Sequence, residues 1–472
     1  MKITRRGAMG LLGAAALTGC GPRGERGGKD ADVIVVGAGL SGLHAALTLE
    51  EFGLDVLVLE AANRPGGRML TLTDLPGAPE AGGEQVGRTY ARVRARAEQF
   101  GIGFSDFPPN RFGEVLHVRG QTLRAADWPA HPANRLPEPL KAIPPHRLFF
   151  GMAARSNPFD DVYAWRDAEA AAHDVAARDW LSARGADAET LRLIEVSLNG
   201  RDLETYSMLN LFRTLAIFAQ ERDMGGSQAI AQGSQALPEA MAAGLARTPR
   251  YGAPVMGIEA DDAGVRVLLE SGEALRADFA ISSLPFAVLR EVGLEAPVSE
   301  TQRQAIEFLS YTPIVQLHLQ AETPFWEADG LAPEMWTDSP LERVFARRDA
   351  DGAPTGMLTA WLDGLGGLDA DTLGDEALEE MARAEFARIR PASEGRVRLR
   401  HVQRWTDRNP LAGGAYMHWR PGEAARWADT MAAPAGRLHF AGEHTGRLHT
   451  GMEAAMESGE RAAVEILDRV QA

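Results

Sequence analysis

Two short apolar runs, Asp32-Val-Ile-Val-Val36 and Asp55-Val-Leu-Val-Leu59, bracket Gly37-Ala-Gly39-Leu-Ser-Gly42 and a helical stretch from Leu43 to Glu51 that Gly53 stops. Runs that are apolar at every position after a leading aspartate suit strands covered on both faces, which is the situation of a parallel sheet. Parallel neighbours need a crossover, and a helix is the usual one, so this segment reads as a strand–helix–strand unit. The three glycines have separate tasks in such a turn. Gly37 allows the tight bend, Gly39 lets the backbone approach a pyrophosphate, and Gly42 lets helix and strand pack closely. The helix start offers unpaired N–H groups and positive dipole charge to phosphates. Glu60 lies 18 positions beyond Gly42, where an acid accepts from a ribose diol and disfavours a 2′-phosphate. A dinucleotide is expected here, and the motif leaves nicotinamide and flavin both open.

Later segments are coarser. Six prolines between 129 and 145 predict an irregular connection, and the alanine-, leucine- and arginine-rich stretch 160–220 predicts several helices. Alternation from Val255 to Ile281, broken at Asp261-Asp262-Ala-Gly264 and Ser271-Gly272, predicts a β-meander. Leu378, Met381, Ala382, Phe386 and Ile389 recur at helical spacing before Pro391, and Met452 to Val470 reads as a final helix with Met452, Met456, Gly459, Ile466 and Val470 near one face. A length of 472 residues fits two domains or one large interrupted one. The net charge of −16 argues against a nucleic-acid partner. The single cysteine, Cys20, excludes a disulfide scaffold and cysteine-built metal sites, and no metal site is expected.

That cysteine sits at the end of a leader-like segment. Lys2 to Arg6 is basic, Gly7 to Leu17 is apolar over 11 residues, and Leu17-Thr18-Gly19-Cys20 follows. The run is short of the ~20 residues that span a bilayer, which suits a secretory signal. Arg5-Arg6 resembles a twin-arginine export signal, and the last four residues resemble a bacterial lipobox whose cysteine takes the lipid. The expectation is a signal over 1–20, a flexible tether over 21–30, and a lipid-anchored protein on the periplasmic side of a bacterial envelope.

Further blocks decide between the dinucleotides. Glu60-Ala-Ala-Asn-Arg64-Pro-Gly66-Gly67-Arg68, Glu80-Ala-Gly82-Gly83, Leu438-His-Phe-Ala441-Gly442-Glu443-His444-Thr445 and Gly451-Met-Glu-Ala-Ala-Met-Glu-Ser458-Gly459 occur in that order. Together they resemble the flavin-containing amine oxidases, the group of monoamine, polyamine and L-amino-acid oxidases. The resemblance implies an α/β fold with an α+β insert: a Rossmann-type FAD-binding domain (31–88, 225–300 and 402–472) interleaved with a sheet-plus-helices substrate domain (89–224 and 301–401). It implies Arg68 at the pyrophosphate, Gly82 and Gly83 beside the isoalloxazine, Val255 at the adenine through its backbone, and Gly442 and Glu443 at the ribityl or ribose hydroxyls. It also aims the helix start at Gly451 and Met452 toward the flavin N1/C2=O edge.

Three positions depart from that family's pattern. Gly413-Gly414-Ala415-Tyr416 has alanine where monoamine oxidases carry the FAD-linking cysteine, so the FAD is expected to be non-covalent. Tyr416 supplies one wall of the aromatic pair that holds an amine, whereas the second wall falls on Gly451; His449, Trp419, His418 and Trp361 are the candidates to replace it. The strand before Pro324-Phe325-Trp326 places Gln316 where the family has a lysine, and no lysine follows Lys141. A neutral amide there implies slow reaction with oxygen, with a cytochrome or quinone as the alternative acceptor. Gln316 and Tyr416 are thus the expected catalytic positions. The implied reaction is amine C–N oxidation by hydride transfer to flavin N5. Residues 69–75 contain no arginine for a substrate carboxylate, which favours plain amines, with Arg88 and Arg420 as alternatives. Competing implications are a flavin-dependent C–C desaturase and a non-catalytic FAD-binding accessory protein.

Overall fold

The computed structural model describes residues 28–471 apart from 110 and 222–223. The leader, Cys20 and most of the tether lie outside the described residues. Strand Ala31–Val36, helix Leu40–Glu51 and strand Val56–Leu59 form the expected unit, with the two strands parallel and Val33 opposite Val56. The helix starts three residues earlier than its sequence suggests, because Ser41 and Gly42 lie in its first turn with Leu40, Leu43, Leu47 and Leu49 buried.

Strand Ala274–Ser282 pairs parallel with the other side of Ala31–Val36. Its outer edge is shared. The first half takes the antiparallel strand Val265–Leu269, and the second half takes Leu438–Phe440 in parallel. The meander expected from 255–281 is present as Val255–Ala260, Val265–Leu269 and Ala274–Ser282. The final helix, Gly451–Gln471, packs along Leu40–Glu51 so closely that a β-carbon at Gly459 would collide with the Ser41 backbone. Met456, Gly459 and Ile466 are buried, but Val470 is 54% exposed, contrary to its expected face. Twenty-one residues make a helix of about 31 Å, which outlasts its 12-residue partner and leaves the last turn without a surface to cover.

A second sheet runs in the order Val397–Trp405, Ile314–Ala321, Pro354–Asp363, Arg343–Arg348, Met335–Thr337, Val115–Val118, Gln121–Arg124. It is antiparallel except where Met335–Thr337 meets Val115–Val118. One face packs Val315, Leu317 and Leu319 against Leu378, Ala382, Phe386 and Ile389 of helix Asp375–Ile389, as their spacing predicts. The opposite face carries Ile314, Gln316 and His318 and looks toward the first sheet's loops. Stretch 160–220 holds helices Ala177–Ser182, Ala188–Glu195 and Met208–Glu221, but its first part forms only 3₁₀ turns. Asp161 explains part of that: its carboxylate takes the N–H groups of Tyr163 and Ala164 and holds a turn in place of a helix. None of the helices among the described residues is long and apolar enough to cross a membrane.

Candidate active site

The nucleotide end is built by the first turn. Gly37 has φ +103°, and a β-carbon on Gly42 would collide with the Gly37 carbonyl. Gly39 caps helix Leu40–Glu51 without a side-chain hydrogen bond, the first turn contains no acid, and a β-carbon at Gly39 would meet nothing within 4 Å. The N–H groups of this helix end therefore face open space suited to a pyrophosphate. Glu60 accepts the Ala38 and Ala62 N–H groups at 2.8 Å each, and burial raises its pKa while those bonds oppose the rise. Its backbone receives the Ala253 N–H at 2.9 Å, which draws the segment leading to Val255 alongside. Val255 is half-buried at the start of its strand, paired with Leu269.

From there a trough of small residues continues. A β-carbon at Gly67 would stand 3.7 Å from Gly39 Cα, one at Gly82 would collide with the Arg68 carbonyl, and one at Gly83 would lie 3.9 Å from Met452 Sδ. Gly67, Gly83 and Gly451 are all exposed. Gly442 adopts φ +128° and donates its N–H to Ser458 Oγ at 2.9 Å, while Gly451 adopts φ +61° at the head of the last helix. Glu453 is withdrawn from this helix end, accepting the Arg92 and Val93 N–H groups at 3.1 and 3.2 Å. A flavin dinucleotide fits these features: an uncapped helix start, a carboxylate at the second strand's end, and a floor where side chains would intrude. Arg68 is already engaged, donating from Nη1 to the Ala415 carbonyl at 2.8 Å and to Glu443 Oε1 at 3.0 Å. Glu443 Oε1 also accepts the Met417 N–H.

Facing the trough is the polar side of the second sheet. Gln316 is fully buried, and its neighbours in register are Trp361 on one side and Gln403 on the other. Ile314, Trp405, Ala412, Ala415, Trp361, Tyr416 and Leu70 pack as one cluster on this face. Trp405 Nε1 donates to the Ala81 carbonyl at 2.5 Å, one residue before Gly82, so sheet face and trough are directly joined. Burial pushes the Tyr416 hydroxyl above its usual pKa, keeping it neutral.

The space beside Gly451 is filled from elsewhere in the chain. The Tyr90 hydroxyl is the nearest group to a β-carbon placed on Gly451, at 3.9 Å, and His449 meets the Tyr90 ring edge-on at 4.5 Å between centroids. His449 Nδ1 accepts the Thr450 N–H at 3.0 Å, so Nε2 carries the proton and donates to Thr89 Oγ1 at 3.1 Å; Thr89 in turn donates to Glu221 at 2.6 Å. Burial lowers the His449 pKa to about 4, and the ring stays neutral. Arg213 ties down the same loop through the carbonyls of Gly446 and His449, and burial lowers its pKa to about 10. Of the four replacement candidates, His449 borders the Gly451 space and Trp361 packs on the same cluster as Tyr416. Trp419 instead packs on Trp165, and His418 stacks on Tyr206. Tyr90, Thr89, Glu221 and Arg213 carry no motif; the missing aromatic at residue 451 is the one sequence signal that another element must close this side.

The two arginines considered for a substrate carboxylate are elsewhere. Arg88 pairs with Asp106 at 2.7 Å and with the Gly226 carbonyl. Arg420 is exposed and lines a separate cavity of about 440 Å³ with Glu204, Phe308, Glu423 and Trp427.

A family model described as flavin containing amine oxidoreductase matches residues 40–467. An L-amino-acid oxidase of Mus musculus is 26% identical over 464 residues, covering 94% of this chain and 71% of its own length. A flavin-containing amine oxidase A of Sus scrofa is 25% identical over 468 residues, with 93% and 86% covered. Among solved structures, wild-type putrescine oxidase bound to putrescine is similar at 25% identity and a TM-score of 0.75, over 93% of this chain and 99% of that one.

Proposed function

The chain belongs to the flavin-containing amine oxidoreductases, FAD-dependent enzymes acting on amines, and from that membership we propose that it oxidises the C–N bond of an amine lacking a carboxylate. The carrying observation is the packing of Tyr416 and Trp361 on the sheet face joined to the Gly82–Gly83 trough. When bound, FAD would supply the two-electron acceptor for a hydride from the amine's α-carbon. The chain's own part is positioning. The rings of Tyr416 and Trp361 orient the amine from one side, with Tyr90 and His449 closing the side by Gly451. The imidazoles of His318 and His449 stay neutral, so neither repels an approaching amine. The resulting imine leaves and is hydrolysed.

The FAD is held without a covalent link, because Ala415 has no nucleophile. Gln316 supplies amide hydrogen bonds in place of a lysine's charge, which supports slow reaction with oxygen and electron delivery to a cytochrome or quinone. The Arg5-Arg6 pair and the lipobox-like Leu17 to Cys20 support twin-arginine export and a lipid anchor on the periplasmic side. Anaerobic titration of the FAD-loaded protein with a panel of amines and amino acids tests the reaction. Bleaching of the flavin by amines is the expected result. Reduction by amino acids alone would overturn the substrate class, and a flavin that no candidate reduces would leave an accessory role.

A further inference from the structure

Gln316 and His318 occupy alternate positions of strand Ile314–Ala321 and so share the face that meets the trough. Both are fully buried. Their in-register neighbours extend a polar grid: Gln403, Gln316 and Trp361 in one row, His401, His318 and Thr359 in the next. Three members are linked. Thr359 Oγ1 lies 3.2 Å from His318 Nδ1, and His318 Nε2 lies 3.1 Å from Gln316 Oε1. An amide oxygen only accepts, so Nε2 carries the imidazole proton; Nδ1 is then the acceptor, and the Thr359 hydroxyl donates to it. The chain has one direction. It ends at Gln316 Nε2, a buried donor with no partner among the described residues. The indole Nε1 of Trp361, in the paired position on the next strand, is a second buried donor without a partner among those residues. Buried donors left unmade cost about 1–3 kcal/mol each, so two on adjacent strands mark a place where an acceptor belongs.

We infer that Thr359 and His318 are positioning residues that aim the Gln316 amide, with the Trp361 indole, at one small uncharged acceptor, a water molecule, beside the flavin site. The relay carries no charge at any point. Burial, reinforced by His401, lowers the His318 pKa to about 3, so the ring remains neutral under any ordinary condition. The water is thereby held by two donors, which leaves its own hydrogens free for a further acceptor. The inference rests on the flavin reading above and deepens it: two residues outside the flavin trough determine how the lysine's substitute behaves.

The test is the midpoint potential of the bound flavin, measured anaerobically against reference dyes in the FAD-loaded protein and needing no substrate. Gln316→Leu should change the reduced-to-oxidised ratio at fixed potential by about threefold to tenfold, tenfold being about 30 mV for a two-electron couple. Thr359→Val, which keeps the side chain's shape, and His318→Phe should shift it in the same direction, and Thr359→Ser should restore the wild-type value. Combining Thr359→Val with Gln316→Leu should add nothing further. Should His318→Phe not fold, the Thr359 pair decides alone. The relay is overturned if Thr359→Val leaves the potential unchanged, if its effect adds fully to that of Gln316→Leu, or if Gln316→Leu itself has none. Failure of the underlying reading looks different: the wild-type flavin would not be bleached by any amine.

Discussion

Arg68 and Glu443 lie 375 positions apart in sequence and meet through a 3.0 Å bond from Nη1 to Oε1. The pair joins the block that ends in Gly66-Gly67-Arg68 to the block around Gly442-Glu443, and the Met417 N–H ends on the same carboxylate oxygen. Both side chains are mostly buried, so the bond is not the weak surface kind. Replacing Arg68 with methionine removes a charged hydrogen bond worth about 1.5–3 kcal/mol, which predicts roughly 10- to 100-fold weaker FAD retention. Flavin content after dialysis, with Tm of the apoprotein as control, measures it.

Two glycines of the first turn should separate fold from cofactor. Gly42→Ala drives a β-carbon into the Gly37 carbonyl and should cost about 1–3 kcal/mol of stability even without FAD. Gly39→Ala meets no described residue within 4 Å and suits its φ of −75°, so the apoprotein's Tm should hold while FAD binding is lost. Parallel melts and flavin titrations of the two variants check the contrast.

Gln316→Lys should raise the rate at which the reduced protein is reoxidised by oxygen by about tenfold or more, since a positive charge stabilises superoxide where an amide does so weakly. Stopped-flow reoxidation against dissolved oxygen reads this directly, and an unchanged rate would refute the role assigned to residue 316.

Removing an aromatic wall should damage turnover without emptying the site. Tyr416→Ala is expected to lower kcat/KM for the best amine by about 10- to 100-fold, equivalent to ~1.4–2.8 kcal/mol of positioning, with FAD retained. Tyr90→Ala should act in the same sense, and Tyr90→Phe should be nearly silent if the ring is what matters.

The His449 chain predicts a pH signature. Its pKa falls from 6.5 in the unfolded chain to about 4 in the folded one, so between those values the unfolded state binds more protons. Stability from the neutral ring is complete above about pH 6.5 and drains as pH falls toward 4, at a slope of up to ~1.4 kcal/mol per pH unit. Relative to His449→Asn, the wild type should lose stability across that window. Denaturant melts at pH 7.5, 6, 5 and 4 compare the two proteins.

Legibility followed the range of the interactions involved. The strand–helix–strand unit was readable because Val33 to Val36, Gly37, Gly39, Gly42 and Glu60 are fixed by backbone geometry within one short segment. The final helix was readable from its period, but Val470 was misplaced since sequence does not show where a partner helix ends. The spacing to Pro324-Phe325-Trp326 puts Gln316 on its strand, whereas the link of His318 and Thr359 to it depends on strand register and has no signal in sequence. Tyr90 was beyond reach for the same reason: its meeting with Gly451 joins segments some 360 residues apart, and nothing near either residue announces the other.

The closing of the first sheet sets an order for the protein's birth. Leu438–Phe440 completes an edge begun by Ala274–Ser282, and Gly451–Gln471 covers a helix made from residues 40–51. A ribosome releasing this chain from its N-terminus therefore holds a half-built nucleotide site for nearly the whole of synthesis, with the Ser41 side of the first helix lacking its cover. Contacts of such long range close slowly and leave apolar surface open meanwhile. Cofactor capture becomes the last event of maturation, and a chain shortened by even its final two dozen residues would lose the site at both ends.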